Sequence, residues 1–369
     1  MNNNFNLLKF LPKFVITGGN NQYPIKIKED YNNEVLLLYV VNGPNKSKRE
    51  YTTPIPKQIK KDKDTFQVLG LLQAEMGKTN NGCICFSNCE PRLIKKVMRW
   101  FEREKIINQN NWRWYTKVNI NEPTDENYKK EIETKIVNYW LNQTNINPNT
   151  NHPKSVTYIK NTKNKILKQY DNGTLIIEHK SNLLSQIIKN FLKNITYNYI
   201  LNGSIIETLN FMKGIIAGEG AIQNHKPSKS YGVHISATQE REREIYKECL
   251  NKLGIELKIY NNYKETLISK RENLIKLLQL QLMTLSPSKY SKFLEMMKQY
   301  PGIEETGYFT GNKEPRNKIP EEVERAIIYD YEEGITNQKE LANKWNISHI
   351  KVNRIIKGIP KTFLKITPS

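Results

Sequence analysis

Two short segments of the chain run through apolar and small residues into an acid: Val68-Leu-Gly-Leu-Leu-Gln-Ala-Glu-Met76 and Met212-Lys-Gly-Ile-Ile-Ala-Gly-Glu-Gly220. Each carries two small residues four positions apart, Gly70 and Ala74 in the first and Gly214 and Gly218 in the second. On a helix this spacing places them on one face, a flat stripe that another helix backbone can approach. The acids, Glu75 and Glu219, then fall at the helix C-termini. There the negative end of the helix dipole disfavours a carboxylate by a few tenths to about 1 kcal/mol. Packing the stripes together would also bring the two carboxylates close, an arrangement that calls for a cation between them. Hard divalent ions prefer such oxygen ligands. The alternative is an ordinary buried helix pair, and the recurrence of the acid in both segments favours metal-assisted chemistry.

The elements around the two motifs also repeat. Gly82-Cys-Ile-Cys-Phe-Ser-Asn88 parallels Gly232-Val-His-Ile-Ser-Ala-Thr238, and charged helical stretches follow both, 90–105 and 239–253. Thr174-Leu-Ile-Ile-Glu-His-Lys-Ser-Asn-Leu183 parallels Thr266-Leu-Ile-Ser-Lys-Arg-Glu-Asn-Leu274 with one residue of slippage, and helical patterns follow again, 183–193 and 274–285. Matched landmarks in the same order imply a duplicated domain. The second copy reads as motif helix 205–219, strands 220–236, helix 239–253, strands 255–270 and helix 272–285. The first copy carries an insert with a helix over 126–141, followed by an Asn- and Pro-rich stretch, 142–153, that reads as loop.

These residues resemble the LAGLIDADG homing endonucleases in their single-chain, two-motif form. The match falls on Gly70, Ala74 and Glu75, then on Gly214, Gly218, Glu219 and Gly220. The resemblance implies an α+β fold of two pseudo-twofold-related repeats, each αββαββα-like, with the motif helices at their interface and saddle-shaped antiparallel sheets on the DNA major groove. It implies site-specific cleavage of double-stranded DNA, with Glu75 and Glu219 binding Mg²⁺ or Mn²⁺, each acid serving one strand. Lys180 and Lys270 are repeat-related candidates for basic catalytic residues; a phosphate contact or a solvated surface charge is an equal alternative for each. Two departures stand out. Met76 replaces the family's final Gly, with Gly77 next, so the first exit from helix to strand is expected one residue late. Glu75 stands where Asp is commoner, which lengthens the reach and keeps the ligand type.

After Pro301 the regular pattern gives way to a linker, 301–318, expected to tether rather than pack. Three short helices follow, ending near Lys357, and their apolar series Leu341, Ala342, Ile347, Val352, Ile355 and Ile356 resembles helix-turn-helix DNA-binding domains. Ser348, His349, Lys351, Asn353 and Arg354 are the expected outward residues, of types that read base edges and phosphates; a small helical cap is the alternative. The domain reading is thus 1–64 as an N-terminal extension of undefined fold, 65–200 and 201–300 as the two repeats, 301–318 as linker and 319–360 as the helix-turn-helix-like module. In Asn111-Trp-Arg-Trp-Tyr-Thr-Lys-Val118, Trp112, Trp114 and Thr116 alternate with Arg113, Tyr115 and Lys117, giving a strand one core face and one basic face toward DNA. Cys83, Cys85 and Cys89 lack a second ligand pair at zinc spacing and read as incidental thiols.

Charge agrees with a polyanionic partner. The chain of 369 residues holds 57 Lys and Arg against 37 Asp and Glu, a net +20, although coding bias toward Lys, Asn and Ile gives the same excess. The sequence offers no membrane span, export signal or disulfide framework. It is therefore expected to act as a monomer inside the cell, in cytoplasm, nucleoid or organelle matrix. The alternatives kept on the same fold are an RNA-splicing maturase, with intron RNA as partner, and a non-cleaving DNA-binding regulator.

Overall fold

The computed structural model describes residues 3–42, 47–77, 82–159, 172–225, 227, 230–260, 265–301, 321–332, 335–345 and 347–357. The chain divides into two units, Met1–Tyr199 and Ile200–Ser369. The fold is α+β.

The first unit opens with strands β1 (Asn4–Asn6), β2 (Phe14–Ile16), β3 (Gln22–Pro24), β4 (Lys26–Asp30), β5 (Glu34–Asn42), β6 (Lys48–Pro56) and β7 (Gln58–Lys60). β4, β5 and β6 make an antiparallel sheet, and β1–β7 and β2–β3 are separate pairs. The repeat follows as α1 (Lys63–Glu75), β8 (Cys83–Asn88), α2 (Pro91–Arg103), β9 (Arg113–Val118), α3 (Glu126–Thr144), β10 (Asn151–Tyr158), β11 (Thr174–Lys180) and α4 (Asn182–Asn194), closed by a π-helical turn at Ile195–Tyr199. The N-terminal strands are fastened to this repeat. Phe5 meets Phe66 of α1 and Phe191 of α4 edge-on, with ring centroids 5.9 and 5.4 Å apart. The Gln186 side chain of α4 exchanges two hydrogen bonds with the Ile16 backbone.

The repeat's sheet has the order β10-β9-β11-β8, and β11 runs antiparallel to both neighbours. β10 runs parallel to β9, so this sheet is not wholly antiparallel as expected; α3 supplies the crossover that parallel pairing requires. Nor is 142–153 all loop. α3 continues to Thr144 and is stopped by Asn145 in the left-handed conformation, φ 57°, and β10 already begins at Asn151. Its Pro153 is tolerated because β10 is an edge strand, where a missing N–H breaks no ladder.

The second unit runs α5 (Ile205–Glu219), β12 (Gly220–His225), β13 (Ser230–Ser236), α6 (Glu240–Lys252), β14 (Lys258–Tyr260), β15 (Glu265–Ile268) and α7 (Arg271–Gln279). Its sheet, β12-β13-β15-β14, is antiparallel throughout. The helix expected over 272–285 stops at Gln279, and a further helix, α8 (Pro287–Gln299), starts with Ser286 as its cap. Last come α9 (Glu321–Glu332), α10 (Gln338–Trp345) and α11 (His349–Lys357). The expected linker lies outside the described residues except for Pro301.

Both motif helices are capped by side chains that accept backbone N–H bonds. Asp62 accepts from Thr65 at 2.8 Å, and Ser204 with Glu207 forms a reciprocal capping box. Each is then buried on every side, Thr65–Ala74 in α1 and Thr208–Ala217 in α5, which is why both motifs are apolar almost all round. Gly70, Ala74 and Gly214 are buried and Gly218 is half-buried.

α9, α10 and α11 pack as a three-helix cluster around Val323, Ile327, Leu341, Trp345 and Val352. The Trp345 indole donates to the Asp330 carboxylate at 2.7 Å, and Lys344 pairs with the same acid. This cluster is not merely tethered. α9 packs against α5, and the Lys213 ammonium of α5 sits 5.7 Å from the Trp345 ring centre.

Candidate metal and nucleic-acid site

Glu75 and Glu219 occupy equivalent places in their units. Each is the last residue of its motif helix, and the next residue turns extended, Met76 at φ −75°, ψ 132° and Gly220 at φ −70°, ψ 137°. Each of these returns its N–H to the carbonyl four residues back, Leu72 and Ile216. The exit after Met76 is therefore not a residue late: the extended backbone needs no glycine. Met76 then bridges Phe86 of β8, whose other partner is Ile177 of β11; Gly220 pairs with Ile235 of β13, whose other partner is Thr266 of β15. Among the described residues, Met76 makes one bridge at the place of β12, while β8, β11 and β9 match β13, β15 and β14.

Burial fixes the alignment further. Ile84 and Phe86 face the core in one unit, Val233 and Ile235 in the other. The pairing of Gly82–Asn88 with Gly232–Thr238 read from the sequence is one residue out, a slip that would turn every side chain to the wrong face. Corrected, Asn88 corresponds to Ala237.

Asn88 is a site residue the sequence reading missed. It is 7% exposed; its Nδ2 donates to Glu75 Oε1 at 3.3 Å, and its Oδ1 accepts the Glu90 N–H at 2.9 Å. Glu75 and Glu219 are themselves half-buried. Each acid suits a hard cation in the way Mg²⁺ is usually held, by one or two carboxylates with water and substrate phosphate completing the shell. Among the described residues, no three of His, Cys, Asp and Glu gather as a metal-holding group.

Lys180 and Lys270 lie elsewhere. Lys180 ends β11 opposite Cys83, three residues along the ladder from the Phe86–Ile177 pair, roughly 10 Å at the usual strand rise. It lines a cavity of about 560 Å³ with Tyr39, Tyr51, His179 and Asn182. Burial lowers the His179 pKa below its ordinary 6.5. Lys270 caps α7 and pairs with Glu256; this hydrogen-bonded acid raises the lysine pKa, and the lysine lowers that of the acid. The structure joins neither lysine to its unit's motif acid.

Trp112, Trp114 and Thr116 are fully buried, while Arg113 and Tyr115 are half-buried and Lys117 is exposed. Arg113 stands opposite Glu178, Tyr115 opposite Ile176 and Lys117 opposite Thr174. Burial and the nearby Cys85 and Glu178 push the Tyr115 hydroxyl up. On the second sheet, His234 and Gln223 of neighbouring strands are hydrogen-bonded at 2.7 Å, and across the intervening β15 Lys258 and Tyr260 of β14 are exposed. Burial pushes the Cys83 thiol up to about 11 and raises that of Cys85, and Cys89 is exposed.

In α11, His349 and Arg354 are exposed and Ser348 and Lys351 half-buried. Asn353 is turned inward, donating to Gln338 Oε1 at 3.0 Å, so it leaves the outward set. Ile350, 62% exposed, takes the central outward place instead.

Residues 207–281, from the first turn of α5 to just past α7, match the family model described as a LAGLIDADG-like domain, so the second repeat contains a LAGLIDADG-like domain. No curated protein matches the chain. Among solved structures, the chain is similar to the N-terminal LAGLIDADG domain of DUF199/WhiA, at 11% identity and TM-score 0.33, covering 60% of this chain and 82% of that one. It is also similar to I-DmoI in complex with DNA and Mn, at 15% identity and TM-score 0.32, over 60% and 97% of the two chains. The I-DmoI complex with DNA and Ca gives 15% identity and TM-score 0.32 over 62% and 96%. No helix among the described residues is long and apolar enough to cross a membrane.

Proposed function

We propose that this protein is a site-specific, metal-dependent DNA endonuclease acting on double-stranded DNA as a monomer. The observation that carries the reading is the equivalence of the two acids: Glu75 and Glu219 each close a buried motif helix at the point where the chain turns extended and pairs with its unit's sheet, at β8 and at β13. A repeated carboxylate at the unfavourable end of a helix dipole is offset when a cation binds it.

Glu75 and Glu219 would hold Mg²⁺ or Mn²⁺, which when bound polarises the scissile phosphate, activates water and neutralises the leaving oxygen. Asn88 orients the Glu75 carboxylate by donating to one of its oxygens. Arg113, Tyr115 and Lys117 present a basic edge to the major groove, and Lys180 and Lys270 contact phosphate rather than the reacting atoms. Ser348, His349, Lys351 and Arg354 extend the DNA contact from the C-terminal helices. The test is cleavage of a cognate duplex with and without chelator. Glu75→Gln and Glu219→Gln should each abolish double-strand cutting and leave binding largely intact, because the amide keeps shape and loses charge. Full activity in either variant removes that acid from the mechanism.

A further inference from the structure

α8 reaches back to the motif helix of its own unit. The Lys289 ammonium donates to the carbonyls of Ile216 at 3.4 Å and Ala217 at 2.6 Å, and to that of Gly218. The Ile216 carbonyl also accepts the Gly220 N–H, while those of Ala217 and Gly218 are terminal carbonyls that the end of the helix leaves without intrahelical partners. The Gly218 carbonyl belongs to the same peptide unit as the Glu219 nitrogen. An ammonium has three N–H donors and no acceptor, a complement suited to a cluster of carbonyl oxygens.

Lys289 is poorly placed for its own helix. It lies in the first turn of α8, where the dipole favours acids, and that turn contains none. Its charge complements the other end of a different helix, the end that carries Glu219. The first unit is built differently at both points. Its α4 is followed by the π-helical turn, which places Thr196 Oγ1 on Gln73 Oε1 at 3.0 Å, and Asn88 rather than Ala237 stands at the matching strand position beside the acid.

We infer that Lys289 is a positioning residue for Glu219, and that the two half-sites are held by different devices: a side-chain amide on the carboxylate of Glu75, and an ammonium on the helix end that carries Glu219. This rests on the endonuclease reading. Its consequence is that Lys289 governs one strand of the target.

The test uses the full chain and a cognate duplex labelled separately on each strand, with the strand served by Glu219 identified by Glu219→Gln. Lys289→Met should slow cutting of that strand by about tenfold to a hundredfold, the range expected when a reacting group is misplaced by an ångström, and nicked product should accumulate. Lys289→Arg, which keeps the charge and the donors, should restore most of the rate. Binding to the duplex in Ca²⁺ should be unchanged for both variants. Without any cleavage, amide exchange in Lys289→Met should rise in the segment 214–222 and stay constant in 70–77. Equal slowing of both strands, no slowing, or unchanged exchange at 214–222 overturns the inference. If the wild-type protein itself does not cut, the endonuclease reading falls and takes the inference with it.

Discussion

Asn88 offers a perturbation whose parts can be separated. Its amide makes two bonds, Nδ2 to Glu75 at 3.3 Å and Oδ1 from the Glu90 N–H at 2.9 Å, in a site only 7% exposed. Asn88→Ala removes both. Asn88→Ser keeps an oxygen able to accept from Glu90, as such hydroxyls do in turns, but is too short to reach Glu75. A hydrogen bond to a charged group contributes about 1.5–3 kcal/mol. The Glu75 partner is half-buried and the bond long, so the lower figure applies. At about 1.4 kcal/mol per tenfold in rate, losing it should slow the strand served by Glu75 by roughly tenfold. Both variants should show that loss. Asn88→Ala alone should also lose about 1 kcal/mol of stability, the usual net worth of a neutral hydrogen bond, because the turn into α2 is left uncapped. The assay is strand-resolved cleavage at saturating metal, with thermal unfolding of both variants beside it. The other strand should be cut at the normal rate, since Ala237 holds the matching position in the second unit. Equal slowing of both strands, or a normal rate in Asn88→Ser, would refute the assignment of Asn88 to Glu75.

Three further outcomes follow from the same structure. Trp345→Ala should cost about 3–5 kcal/mol, the range for truncating a buried large aromatic, and expose 321–357 to limited proteolysis; an unchanged digestion pattern would mean that Trp345 does not hold the cluster together. At pH 8, alkylation followed by peptide mass analysis should label Cys89 first and leave Cys83 and Cys249 as thiols, since burial pushes these up to about 11 and about 12; early labelling of Cys83 would contradict its buried place. His179 resists protonation in the folded state because of its burial, so the unfolded chain binds the extra proton and stability should fall as pH drops below about 6.5, with full stability above it. His179→Gln should flatten that dependence in thermal unfolding, and an unaltered profile would assign the effect to other groups.

Much of the second repeat was legible because its signals are local. Ser204 and Glu207 announce the start of α5, and Gly220 marks its end. Alternation in 112–118 was enough to separate core from surface. What stayed hidden depends on partners far along the chain. Whether an Asn- and Pro-rich stretch is a loop or an edge strand is settled by whether β9 has a free edge, and sequence pattern does not show that. The slip between Gly82–Asn88 and Gly232–Thr238 arose from matching glycines. Only the buried pair Phe86 and Ile235 fixes which residues share a face, and with it the position of Asn88. Lys289 reads as one more surface lysine among many, and its role depends on α8 folding back against the end of α5.

The central claim is that Glu75 and Glu219 make this chain a metal-dependent enzyme on DNA. Its most direct measurement works without a defined target site: the full-length protein is incubated with a randomised plasmid library in Mg²⁺, and broken ends are captured and sequenced. Breaks should concentrate at one family of related sequences, be absent with chelator and be absent as double-strand breaks in both Glu75→Gln and Glu219→Gln. The same breaks from either variant, or from the wild-type protein in chelator, would contradict the claim.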